Sequence, residues 1–365
     1  MFTRLWRLAS RPHKHTNVIL NVHAEHKPFF LKGAITGEDW RHENMGKTLQ
    51  IITDPQKLNA LQTQAELNLK LWAQKRADFP RSVEVIYQDW GRATLDATKK
   101  YGTPYSVLNM ANSRFPGGAA LEGGSAQEEN MWLRSSCALS LLDKIVQLDL
   151  NSRTFRYTDE AAELLQGQVP MSQDELIRLQ VARGLPITEA FKVYFSPDQR
   201  ICFRGAEVLV PSNCEDLGTS RFALVPDSFL SFGLLPQSDV FSFYELRSAA
   251  PERVAMNIDM DDKEALEHYK NDLRRRIGAQ LDTLIIEGKT NVILGAWGCG
   301  AFKNTPEVVA ELYREEIEKR SDCFDHIVFP ILKTDNQIDN YAIFDKYLSG
   351  MKLGNPMSAD STFRM

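Results

Sequence analysis

No stretch of this 365-residue chain approaches the about 18 uninterrupted apolar residues that a membrane-crossing helix needs. Cysteine is scarce: Cys137, Cys202, Cys214, Cys299 and Cys323 form no C-x-x-C pair and are not spaced against the seven histidines. That argues against a zinc module or a disulfide framework and favours a reducing, intracellular compartment. Positive charge is not in excess either. Lys plus Arg number 43 against 48 for Asp plus Glu, a net charge of −5, so binding nucleic acid by charge is disfavoured. There is no internal repeat, no low-complexity tract and no G-x-G-x-x-G fingerprint, which sets aside a dinucleotide-dependent oxidoreductase. What is abundant is core material, with 43% hydrophobic and 25% charged residues: one elaborated globular domain or two ordinary ones.

Residues 1–20 carry Arg4, Arg7, Arg11 and Lys14 and no acid before Glu25. A basic, acid-free start admits organelle import or secretion, but it lacks the apolar segment of a secretory signal and reads as a frayed or surface-docked terminus. Residues 47–78 have helical periodicity with a break at Asp54-Pro55. SVEVIY (82–87), GRATLDATKKYG (91–102) and YSVLNM (105–110) then form a strand–helix–strand unit. A Gly-rich loop at 115–124 leads into a helix expected from about Ala126 to Leu148. Residues 151–192 are polar, helix-prone around Asp174–Arg183, and read as an insertion. Strand character returns at 193–197, 201–212, 222–229 and 240–246. An amphipathic helix is expected over 261–287, the most apolar strand at 290–298, a last core strand at 326–332 and a closing helix near 339–348. Residues 349–365 read as a tail. Alternation of this kind predicts an α/β domain with a mixed sheet.

Two loops carry the chemistry. GAWGCGAFKN (295–304) follows the buried strand and precedes a marked helix start, with Thr305 at the N-cap, Pro306 at N1 and Glu307 in the first turn. Glycines here let the backbone approach a ligand, and free N–H groups with a helix dipole behind them suit an anion such as a diphosphate. The other loop, NMANSRFPGGAALEGGSAQEE (109–129), also leaves an apolar strand, so the two could meet at one rim of the sheet. Ser125 and Glu128 fit a capping box, which gives Glu128 a structural duty. Glu129 has no such duty and could face the cleft. Burial and the charge of Glu128 would raise its pKa towards that of a general acid, while the helix N-terminus would lower it.

The run NMANSRFPGGAALEGGSAQEE resembles the signature of bacterial-type poly(ADP-ribose) glycohydrolases: a Pro-Gly-Gly-Gly loop, a short spacer and Gln-Glu-Glu. VILGAWGCGAFKNTP is similar to that family's second signature, YFSPDQRICFRG to the element between them, and HIVFPIL to its closing strand; together they span about Arg41 to Leu348. The resemblance implies a macrodomain-like three-layer α/β/α sandwich, with residues 1–40 an N-terminal helical extension, 41–348 the glycohydrolase domain and 151–192 an insertion. It implies ADP-ribose or an ADP-ribosylated protein as partner and no metal or cofactor. By the same resemblance Glu129 is the catalytic acid that protonates the leaving oxygen at C1″ of the distal ribose, before water attacks an oxocarbenium-like centre. Glu128 and Gln127 would bind and orient substrate, Gly117 and Gly118 would lie under the distal ribose with Asn112 hydrogen-bonding near it, Gly298, Cys299, Gly300 and Ala301 would cradle the diphosphate, and Phe302 would pack on the distal ribose. Ala119 departs from the family's third glycine. It is the best support for the alternative, a non-catalytic ADP-ribose-binding module; intact Glu128 and Glu129 support the enzyme.

Other features have plainer readings. Cys299 has no neighbouring His or Asp to complete a thiol mechanism and reads as packing. Asp259, Asp261 and Asp262 read as helix-start residues, Arg274–Arg276 as a solvated helix face, and Met131, Ala138, Leu141, Leu142 and Ile145 as core.

Overall fold

A computed structural model describes residues 13–29, 36–207, 210–211, 222–223, 232–253, 262–332 and 338–354. The helices in chain order are α1 (His13–Glu25), α2 (Glu38–Ile52), α3 (Pro55–Ala73), α4 (Trp90–Tyr101), α5 (Gln127–Arg134), α6 (Asp159–Leu165), α7 (Gln173–Arg183), α8 (Lys263–Ile286), α9 (Pro306–Glu318) and α10 (Asn340–Leu348). The strands are β1 (Ser82–Ile86), β2 (Ser106–Met110), β3 (Val146–Asp149), β4 (Thr154–Tyr157), β5 (Val169–Pro170), β6 (Phe191–Lys192), β7 (Tyr194–Phe195), β8 (Arg200–Cys202), β9 (Val210–Pro211), β10 (Phe222–Ala223), β11 (Phe241–Ser248), β12 (Asn291–Ile293) and β13 (His326–Pro330).

The central sheet has the order β1-β13-β12-β2-β11-β7, with β8 also paired to β11. Its first five strands run parallel, and β7 and β8 are antiparallel to β11. This is the mixed sheet expected from the sequence. Side chains alternate across it, as the two-residue period of a strand requires. Leu108, Val292, Ile327 and Phe329 face one core with α8, α9 and α10; Val107, Ile293 and Val328 face another with α2, α4 and α5. Two apolar faces, each covered by helices, make three layers.

Local signals explain the element ends. Asp54 accepts from the N–H groups of Gln56 and Lys57 and Pro55 opens α3, which is the break expected there. Asp89 caps α4 at Gly91 and Arg92, and Gly102 closes it at φ +62. Asp262 caps α8 through Glu264 and Ala265, the helix-start role expected of it; Asp259 and Asp261 lie outside the described residues.

Three expectations change. The helix from 126 to 148 ends at Arg134, followed by a 3-10 turn over Ser136–Leu142 and then β3. Ser135 is the reason: its hydroxyl donates to the Met131 carbonyl and accepts from the Cys137 N–H while its backbone turns extended and bridges to Cys202. Arg276 is not on a solvated face but buried, donating to the Ala249 carbonyl and pairing with Asp272. Within the stretch read as a tail, Leu353 is buried and Lys352 bridges to Ser82 at the edge of β1. At the other end, Ile19 and Val22 of α1 are buried in the same core as α2. No helix among the described residues is long and apolar enough to cross a membrane.

Candidate active site

β2 and β12 are parallel neighbours, pairing Ser106 with Val292 and Val107 with Ile293, so the loops that follow them leave the same rim of the sheet. They meet in a cleft of about 1000 Å³ lined by Asn112, Gly118, Glu128 and Glu129 from one loop and by Gly298, Gly300, Ala301 and Phe302 from the other. The ends of β1 and β13 continue it, through Gln88, Asp89, Trp90, Pro330 and Ile331. Ligands of open α/β sheets lie at this carboxyl rim.

Both glutamates sit in the first turn of α5, yet their carboxylates do different things. Ala126, not Ser125, is the N-cap, and it makes no side-chain cap bond, so the expected capping box is absent. Glu128 is drawn elsewhere: Oε2 accepts from the Asn112 N–H at 2.7 Å and Oε1 from the Gly117 N–H at 3.0 Å. Its side chain is buried, and it fixes the loop from inside. Burial, then the charge of Glu129, raises its pKa well above the usual carboxylate value against the pull of those two N–H groups and Arg247.

Glu129 is 9% exposed. Its Oε1 accepts from the Ala119 N–H at 3.0 Å, while Oε2 is buried without a hydrogen-bond partner among the described residues. Burial raises its pKa, the Ala119 N–H and its own backbone amide oppose this, and Glu122 adds to the rise. The sequence left open whether burial or the helix terminus prevails; burial does.

Glycine is needed at 118 for a stated reason. Its φ is +56, and a Cβ there would lie 2.5 Å from Oε1 of Glu129. Ala119, by contrast, is outside the left-handed region, and room for its methyl comes from Gly124, where a Cβ would come within 2.9 Å of it. The departure at 119 therefore leaves intact the N–H that holds Glu129.

The loop after β12 is tied by Asn304. Its Nδ2 donates to the carbonyls of Pro251 at 2.9 Å and Gly298 at 3.0 Å, and its Oδ1 accepts from the Tyr269 hydroxyl at 2.8 Å. The N–H groups of Cys299, Lys303 and Asn304 bond within the loop, whereas those of Gly300, Ala301 and Phe302 have no acceptor among the described residues. A Cβ at Gly300 would meet nothing within 4 Å, so that residue opens on the cleft. Three adjacent N–H groups left without an acceptor are the kind of donors that can hold an anion.

Gly117 and Cys299 do not line the cleft. A side chain at Gly117 would run into Trp132, and the Cys299 thiol is packed inward against the Trp297 carbonyl, its pKa raised by burial. Gln127 reaches the cleft edge but staples α5 to β2, accepting from the Met110 N–H and donating to the Leu108 carbonyl, both at 2.9 Å. Asn112 uses Oδ1 to cap the turn at Arg114 and Phe115. Sequence reasoning did not single out Asn304 or Asp89. Asp89 pairs with Arg134 at 2.6 Å at the far end of the cleft; its place just after an apolar strand was the available signal.

The family model described as microbial-type PARG, catalytic domain, matches residues 44–164. A search of curated proteins found no match. Among solved structures, a mutant poly(ADP-ribose) glycohydrolase from Thermomonospora curvata is 19% identical, covers 84% of this chain and 99% of its own, and has a TM-score of 0.50. The same organism's glycohydrolase bound to the inhibitor ADP-HPD is 20% identical, with coverages of 84% and 98% and a TM-score of 0.48. The poly(ADP-ribose) glycohydrolase of Deinococcus radiodurans in complex with ADP-ribose (T-to-R mutant) is 21% identical, with coverages of 78% and 91% and a TM-score of 0.46. At these identities the first likeness speaks for the fold.

Proposed function

We propose, on the match of residues 44–164 to the microbial-type PARG catalytic domain, that the chain is an ADP-ribose glycohydrolase that cleaves the O-glycosidic bond at C1″ of poly- or mono-ADP-ribosylated protein. The observation that carries this reading is the pairing, in one cleft, of a half-anchored carboxyl with a loop of free amides. Glu129 has one oxygen held by a backbone N–H and the other unpartnered. Glu128 has both oxygens taken up by backbone N–H groups. Burial raises both carboxyls, but Glu129 is the one with an oxygen, Oε2, left unpartnered and so available to carry and give a proton.

Glu129 then protonates the leaving oxygen as the anomeric bond breaks, and water attacks the oxocarbenium-like sugar, giving its proton back to the Glu129 carboxylate. The N–H groups of Gly300, Ala301 and Phe302 hold the diphosphate, which fixes the distal ribose beside Glu129. The ends of β1 and β13 take the nucleoside. Glu128 acts on the substrate indirectly, by setting the turn on which the ribose rests.

The test is release of free ADP-ribose from an ADP-ribosylated protein. Wild type is expected to turn over and Glu129→Gln to lose at least about 10²-fold in kcat while still binding ADP-ribose. Tight binding with no release by wild type would leave the chain a reader of ADP-ribose; equal rates for both proteins would remove Glu129 from the acid role.

A further inference from the structure

The turn that anchors Glu129 is gripped from outside by the N-terminal segment, which precedes the residues matched by the family model. Within the turn, the N–H groups of Glu122 and Gly124 both donate to the Ala119 carbonyl, at 3.1 and 2.8 Å, so Ala119 moves with them. From α2, His42 Nδ1 meets the Leu121 carbonyl at 2.7 Å. From the residue just after α1, His26 Nδ1 lies 2.7 Å from Glu122 Oε1, and its Nε2 lies 2.9 Å from the carbonyl of Arg153 in the β3–β4 hairpin.

A carboxylate on one side and a carbonyl on the other each face one ring nitrogen, so the imidazole bridges Glu122 and the hairpin. The Arg153 guanidinium in turn makes a two-pronged pair with Glu25, the residue before His26, at 2.8 and 3.1 Å, which ties the hairpin to the end of α1 a second time. Arg153 itself holds φ +54, a left-handed conformation that a non-glycine residue keeps only when its surroundings impose it. His26 and Glu122 both line the same cleft as Glu129.

We propose that His26 is a positioning residue: strapped between Glu122 and the Arg153 carbonyl, it pins the Ala119–Gly124 turn and through it the carboxyl of Glu129. Neither His26 nor Glu122 touches the reacting atoms. The strap joins three parts of the chain, the N-terminal segment, the mid-chain hairpin and the catalytic turn, and its consequence for turnover rests on the glycohydrolase reading above.

Two measurements on the full-length protein test it. In steady-state release of ADP-ribose, His26→Gln and Glu122→Gln are each expected to lower kcat about 10-fold with KM changed less than about 2-fold, short of the about 10² that a 1 Å misplacement can cost. The double variant is expected to be no slower than either single, because both remove one link. By NMR, the amide resonance of Ala119 is expected to move with titration of the His26 ring in wild type and to stop doing so in Glu122→Gln. Losses that multiply in the double variant, or an Ala119 amide indifferent to His26, would overturn the strap while leaving the glycohydrolase standing. Absence of turnover in wild type would overturn the glycohydrolase instead, and the NMR result would still decide the strap.

Discussion

Replacing Gly118 by alanine separates folding from catalysis at one methyl group. A Cβ at 118 would lie 2.5 Å from Glu129 Oε1 and 3.1 Å from its Cδ. Ordinary contact begins at roughly 3.4 Å, so the carboxylate must retreat by about 0.9 Å. Glu129 is the far end of a flexible side chain, and the fold can absorb this at low cost beyond the about 1–2 kcal/mol of placing alanine at positive φ. The acid cannot. Its 3.0 Å bond to the Ala119 N–H is broken, and a displacement near 1 Å costs on the order of 10² in rate, about 2.7 kcal/mol of barrier. Steady-state release of ADP-ribose, calorimetric melting and ADP-ribose affinity should be measured on the same preparation. The expected result is a kcat lower by about 10²-fold, a melting temperature lower by a few degrees and binding largely kept. Turnover within about 3-fold of wild type would refute the view that this turn aims Glu129.

Other outcomes follow from the same geometry. Gly300→Ala, with open space around its Cβ, should melt like wild type yet bind ADP-ribose about 10-fold more weakly by calorimetry, since the methyl meets the diphosphate rather than the protein. Asn304→Ala leaves the Pro251 and Gly298 carbonyls and the Tyr269 hydroxyl without their partner and should cost about 2–3 kcal/mol of stability in urea titration. Glu245 would be raised by burial, but Arg247 and Arg200 hold it at about 2. A depressed carboxyl stabilises the fold above its unfolded value and loses that contribution as pH falls towards the folded one, so unfolding free energy should drop by on the order of 3 kcal/mol between about pH 4.5 and pH 2; a flat profile over that window would count against the pairing.

The main strands and both loops were legible because their signals are local. Apolar runs mark β1, β2, β12 and β13, Asp54-Pro55 and Gly102 mark helix ends, and the Gly-rich loops stand at strand exits. Glu128 shows where local reading stops. Ser125 three residues before it satisfies the capping pattern, but two buried amides at Asn112 and Gly117 compete for the same carboxylate and prevail. The helix expected to run to Leu148 failed at Ser135 because its hydroxyl found backbone partners and its chain a bridge to Cys202, a contact from far along the sequence. Gln127 and Asn304 were invisible as scaffolding for the same reason: a side-chain amide announces nothing about which carbonyls it will meet. The burial of Ile19 and Val22 was equally hidden, because a basic, acid-free start looks alike whether it frays or docks.

The order of strands in the sheet has a consequence for how the molecule comes into being. β12, which supplies the amide loop, lies between β2 and β13 although it is made long after β2. A nascent chain that stops before Asn291 holds the acid and none of the amides, with a gap where the middle strand belongs. Pairings so distant along the chain are slow to form, so competence for the ligand is a property of the finished protein, and binding of ADP-ribose would report that the last strands have been threaded into place.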